Sequence, residues 1–153
     1  MPLTSEQRAP LTGFFSTALL ESTRLLVLQS ERVPNPAFYA ALRALGFHNL
    51  PDFALMAAVT FSDVVVSHQP FTGTLLFHEL VHVEQHRQLG IPRFAELYVR
   101  GFLSGGGYDH IPLEINAYAL EALFAAHLSS TPTAPPAFSV AAEVSNWITH
   151  SRF

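Results

Sequence analysis

Leu75-Leu76-Phe77-His78-Glu79-Leu80-Val81-His82-Val83 decides how the chain is read. On an α-helix each residue turns by about 100° and rises about 1.5 Å. At that pitch Leu75, Leu76, Phe77, Leu80, Val81 and Val83 point around nearly the whole circumference, which predicts a buried helix. His78, Glu79 and His82 form a narrow polar wedge within it. Thr72 or Thr74 can cap the start, and Gly90 ends the helix after Leu89.

Upstream, Val59-Thr60-Phe61 and Val64-Val65-Val66 are β-formers separated by Ser62-Asp63, which predicts a hairpin within Leu55 to Ser67. Ser-Asp is not the Asn-Gly or Asp-Gly pair that a two-residue turn favours, so a longer turn is expected. Before that, Thr4 with Gln7 has capping-box spacing and opens a helix, whole or broken, toward Leu20. Thr23 to Leu28 reads as a short strand. Pro34-Asn35-Pro36 is a break, and Ala37 to Leu45 is a helix ended by Gly46. Downstream, Pro92 to about Leu103 is a second helix with Pro near its first position. Gly105-Gly106-Gly107 is a joint. Pro112 opens a third helix to about Leu128, Thr131 to Pro136 is a Pro/Thr linker, and Phe138 to Thr149 is a last helix that packs Trp147 on the body.

The composition fits one apolar globular domain: 153 residues, 49% hydrophobic and 13% charged. That length is enough for a buried core. The net charge of −4 and the absence of a basic stretch give no footprint for nucleic acid. No apolar run reaches the roughly 18 to 20 residues of a membrane span. Glu6, Arg8 and Pro10 interrupt the N-terminus before any apolar stretch, so no signal peptide is read and a cytoplasmic location is the default expectation. With no cysteine, thiolate sites and disulfides are excluded, and a metal would have to be held by His and carboxylate.

His78-Glu79-Leu80-Val81-His82 is an HExxH sequence. Four residues of helix bring its two imidazoles to about 40° of each other, one turn apart on one face, as two nitrogens on one zinc require. Glu79 is offset, able to reach a metal-bound water without being a ligand. With the chain's eight His, shuffling yields HExxH in roughly one chain in forty. The surroundings therefore matter more than the motif: buried polar groups cost about 1–3 kcal/mol or more when unpartnered, and a metal is a partner for this wedge. The rival is a metal-free hydrogen-bond network between helices.

A third ligand has to come from elsewhere, because His86, one turn further on, cannot converge on the same ion and reads as a surface or outer-shell residue. Glu114, Tyr118 and Glu121 share one stripe of the third helix, and Ala117 beside them is small enough for close approach. Glu114 and Glu121 are both candidates, with Asp109 in the loop as a further rival. Tyr108 or His110 could polarise a carbonyl oxygen. His48, His68, His127 and His150 have no supporting spacing and read as structural or surface residues.

Leu75 to Gln85 resembles the LLxHELxHVxQ signature of a bacterial domain-of-unknown-function family of HExxH zinc metallopeptidases. These are gluzincin-type zincins, and some members occur in extracellular contractile injection systems. Val59 to Val66 is similar to the hairpin preceding that motif. Pro112-Leu113-Glu114-Ile115-Asn116-Ala117-Tyr118 is similar to a downstream PxExEAx-like helix, with Asn116 where the family is more acidic. The resemblance covers about Val59 to Glu121. It implies zinc held by His78, His82 and Glu114, Glu79 as catalytic base, and a peptide or protein substrate.

The expected fold is α+β: a mostly helical, minimal zincin-like domain with a short β-hairpin or small sheet before the HExxH helix. Residues 1–153 form a single domain whose motif-bearing core is about 55–128. The expected function is zinc-dependent peptide hydrolysis. A second reading is a non-catalytic interaction module on the same scaffold with structural zinc.

Overall fold

The computed structural model describes residues 1–130 and 134–151, so part of the Pro/Thr linker expected over 131–136 lies outside the described residues. The fold is α+β. Its helices are α1 (Ser5–Arg8), α2 (Thr17–Ser22), α3 (Tyr39–Ala44), α4 (Gly73–Gly101), α5 (Pro112–Ser130) and α6 (Val140–His150). Its strands are β1 (Arg24–Val27), β2 (Ala58–Phe61) and β3 (Val64–Ser67).

The N-terminal helix is broken. Thr4 and Gln7 form the capping box, but Pro10 sits in a 3₁₀ turn over Ala9–Leu11, and helix resumes only where Ser16 caps α2. The sheet order is β1-β3-β2, with β1 parallel and β2 antiparallel to β3. The hairpin turn is shorter than Ser62-Asp63 suggests. Phe61 pairs directly with Val64, and Ser62 makes the two-residue turn by adopting a positive φ of 58°, a conformation L-residues seldom take. The outer edge of β1 is occupied: the Met1 carbonyl accepts from Leu25 N–H at 2.7 Å, and the Met1 amino group donates to the Leu25 carbonyl. Among the described residues, β2 pairs with β3 alone and forms the opposite edge of the sheet.

α4 starts where the Thr72 side chain accepts from Leu75 N–H, and every residue from Leu76 to His86 is buried. Gly90 breaks its course with φ 73° and ψ 159°, a region essentially reserved for glycine. Pro92 lies just beyond, so the second half of α4 leaves in a new direction. It ends at Gly101, where an added Cβ would lie 2.6 Å from Pro112 Cδ. That close approach seats the start of α5 against the end of α4.

The core lies between these two helices. Phe77 of α4 and Phe124 of α5 stack at 4.2 Å and 11°, with Phe14 edge-on to both. A second cluster of Leu97, Phe102, Ile111 and Leu113 is covered by Trp147 of α6. The stack fixes the register of α5 on α4 next to His78, and the second cluster fixes the start of α5 near Glu114.

Candidate metal centre

His78 and His82 come from one turn of α4 and Glu114 from the first turn of α5. Their facing atoms form a nearly equilateral triangle. His78 Nε2 to His82 Nε2 is 3.1 Å, His78 Nε2 to Glu114 Oε2 is 3.2 Å, and His82 Nε2 to Glu114 Oε2 is 3.3 Å. Three ligands on a tetrahedral zinc, at bonds of about 2.0–2.1 Å, stand about 3.3 Å apart. The donor set and its spacing fit zinc. All three residues are buried, and no other trio of His or carboxylate side chains converges this way among the described residues.

Each imidazole is oriented from behind. His78 Nδ1 donates to Glu121 Oε2 at 2.9 Å. His82 Nδ1 donates to Gln85 Oε1 at 2.8 Å. The direction of the second bond follows from Gln85, whose Nε2 donates to the Leu113 carbonyl at 3.0 Å and to Asn116 Oδ1 at 2.9 Å. Both neutral rings therefore carry their proton on Nδ1 and turn a lone pair at Nε2 into the triangle, the tautomer metal ligands need. The other carboxylate oxygen, Glu114 Oε1, accepts from the Tyr98 hydroxyl at 3.1 Å, which directs Oε2 inward.

Three electron pairs meeting at one point require a cation. Without a metal, a proton serves. Burial works to keep His82 neutral, but the Glu114 carboxylate, by charge and hydrogen bond, outweighs it and lifts His82 to about 9. Burial likewise opposes charge on Glu114, yet His82 and His78 hold its carboxyl well below the usual carboxylate range. Burial and the Glu114 charge raise the Tyr98 and Tyr108 hydroxyls far above the ordinary phenol range, which keeps both as donors.

Glu79 lies outside the triangle. It is 5% exposed, and its Oε2 accepts from Thr60 Oγ1 of β2 at 2.7 Å. It borders two cavities. The first, of about 270 Å³, also reaches His82 and Glu114. The second, of about 440 Å³, reaches His78 and Glu121. Tyr108 borders both.

The remaining candidates fall elsewhere. Asp109 and His110 are exposed in a 3₁₀ turn, and Asp109 is no part of the triangle. Glu121 stands behind His78 rather than facing His82. His86 is buried rather than on the surface: its Nδ1 donates to the His82 carbonyl at 2.9 Å, and its ring lies 3.6 Å from that of Phe94. Tyr118 lays its ring 4.5 Å from His78. His68 is structural, donating from Nδ1 to the Met56 carbonyl and accepting at Nε2 from Val33 N–H.

Gln85, Thr60 and Tyr98 are residues whose part in the site the sequence reading missed. Gln85 stands three positions after His82, a spacing that puts it on the same helix face and could have been read. Thr60 carries no such signal, because its contact with Glu79 spans 19 residues.

Compared with known protein families, curated proteins and solved structures, the chain matches none.

Proposed function

We propose that the protein is a zinc-dependent peptidase, with His78, His82 and Glu114 as ligands and Glu79 as general base, akin to the HExxH family that its motif resembles. The triangle alone suits a proton as well as a metal. The observation that carries the reading is Glu79. A buried carboxylate with a single side-chain donor among the described residues is costly, and in a metal-free network its charge only adds to the hold that Glu114 already has on the His82 proton, without a chemical use. Beside a metal-bound water it has one.

Zinc in this donor set would acidify a bound water and polarise a carbonyl. The chain's own residues account for the rest. Thr60 holds one Glu79 oxygen and leaves the other for the attacking water's proton, which Glu79 then delivers to the leaving amine. Tyr98 keeps Glu114 turned inward. To Tyr108, which borders both cavities beside Glu114, we assign donation to a substrate carbonyl. The open edge of β2 borders the first cavity and offers main-chain pairing to an extended peptide.

The test is Glu79→Gln on zinc-loaded protein against a peptide library. The substitution keeps the shape and the Thr60 contact but removes the base. Turnover should fall by about 10²- to 10⁴-fold with zinc content unchanged. Equal turnover in both proteins, or none in either, would contradict the reading. In the second case a bound zinc would be structural.

A further inference from the structure

We propose that the substrate carries a large apolar side chain, an aromatic ring above all, next to the scissile bond, and that this side chain sits in the cavity beside His82 and Glu114. The proposal rests on the peptidase reading above and names the substrate class it leaves open.

Three elements build the cavity, and the side chains they turn into it are large and apolar. α3 and the loop after it supply Tyr39 and Phe53, the half of α4 beyond Gly90 supplies Ile91 and Phe94, and β2 supplies Phe61. The remaining walls include Glu79, His82 and Glu114, so whatever fills the space lies against the reacting centre. Size decides what fits. An apolar cavity of about 150 Å³ takes a benzene ring, and this one measures about 270 Å³. It holds a phenyl or indole ring where an alanine would leave most of it empty.

Chemistry points the same way. No Lys, Arg or Asp lines the cavity among the described residues, so a charged side chain would lose its water with no counter-charge beyond the centre itself. Three of its lining residues are large and water-exposed: Phe38 at 51%, Phe61 at 46% and Ile91 at 61%. Exposed apolar side chains gathered on one concave surface mark a binding site more than scattered ones do. The second cavity, which Glu79 also borders, includes Asp52, Thr74 and Glu121 in its lining. It offers polar partners, so the ring belongs in the first.

Two short peptide hydroxamates test this, identical except for a benzyl or a methyl side chain beside the chelating group, titrated into zinc-loaded protein by calorimetry. The benzyl compound should bind at least about tenfold more tightly. Ala95→Phe, which fills the cavity from the exposed side of α4, should erase that difference. The same two peptides capped as simple amides, titrated into zinc-free protein by NMR, should perturb residues of this cavity with the benzyl compound only. Equal affinities of the two hydroxamates overturn the proposal, and so does a benzyl preference that survives in Ala95→Phe. Absence of zinc or of any peptide cleavage is instead a failure of the peptidase reading, and the amide pair still reports whether the cavity selects a ring.

Discussion

At the scale of the residue, the site is two layers deep. His78, His82 and Glu114 meet at one point, while Glu121, Gln85 and Tyr98 each hold one of them from behind. Losing a ligand should therefore cost more than losing its support. Glu114→Ala should weaken zinc binding about a hundredfold or more, and Glu121→Ala about tenfold, the range of outer-shell partners. Competitive chelator titration measures both, and an equal or reversed order would put the third ligand at Glu121. Protonation gives a second expectation. In metal-free protein His82 is raised from 6.5 to about 9, so its stabilisation is complete below about pH 6.5 and lost as pH rises through 9. The Glu114 carboxyl is depressed, so the same pair also weakens when pH falls below the ordinary carboxylate value. Chelator-treated protein should thus melt at a lower temperature at pH 9.5 than at pH 6.5, as melting curves at the two values will show. Zinc-loaded protein should not share that loss, because zinc competes with protons and gains as they leave. The facing of His78 and His82 was legible in sequence because four residues of helix fix their angle, whereas spacing alone left Glu114, Glu121 and Asp109 open as the group opposite them. Thr60 was not legible, because nothing local to β2 records that α4 passes beside it.

At the scale of the element, α4 does most of the positioning. Its first half carries the motif through the core, and its second half returns Phe94 and Tyr98 to the same cavity. That redirection happens at Gly90. Gly90→Ala forces a side chain into a backbone region costing about 1–3 kcal/mol, and relaxing that strain would carry Tyr98 away from Glu114. The expected outcome is a lower denaturation midpoint together with weaker zinc binding, read by urea unfolding and chelator competition. A variant with unchanged zinc affinity would show that the second half of α4 is not coupled to the site. The break at Gly90 and the opening of α5 at Pro112 were readable, since each is a backbone preference of one residue, and the cap was readable as one of two threonines, of which Thr72 makes the bond. The hairpin was readable as alternating β-formers, but its turn was not: Ser62 takes a positive φ that its side chain does not favour. The parallel pairing of β1 with β3 was also invisible, because Arg24 and Val64 meet across 40 residues and neither strand carries a mark of the other.

At the scale of the whole molecule, a 153-residue chain spends its core on holding two helices in register. The Phe77–Phe124 stack packs α4 on α5 beside His78 in sequence, and the cluster around Ile111 and Leu113 packs the start of α5 beside Glu114 in sequence. No described helix is long and apolar enough to cross a membrane. Because His78 and His82 come from α4 and Glu114 from α5, an ion bound among them would tie the two helices together, and its binding energy would become folding energy. At free zinc about a thousandfold above its Kd, linkage adds about 4 kcal/mol, or roughly 8–16 °C in a domain of this size. The most direct test is therefore zinc content measured alongside melting temperature, for the wild type and His78→Ala. About one zinc per wild-type chain is expected, with a chelator-sensitive rise in Tm, and neither in His78→Ala. A wild-type protein that stays metal-free in excess zinc and melts at the same temperature with and without it would contradict the metal centre, and leave the triangle as a protonated His82 paired with Glu114.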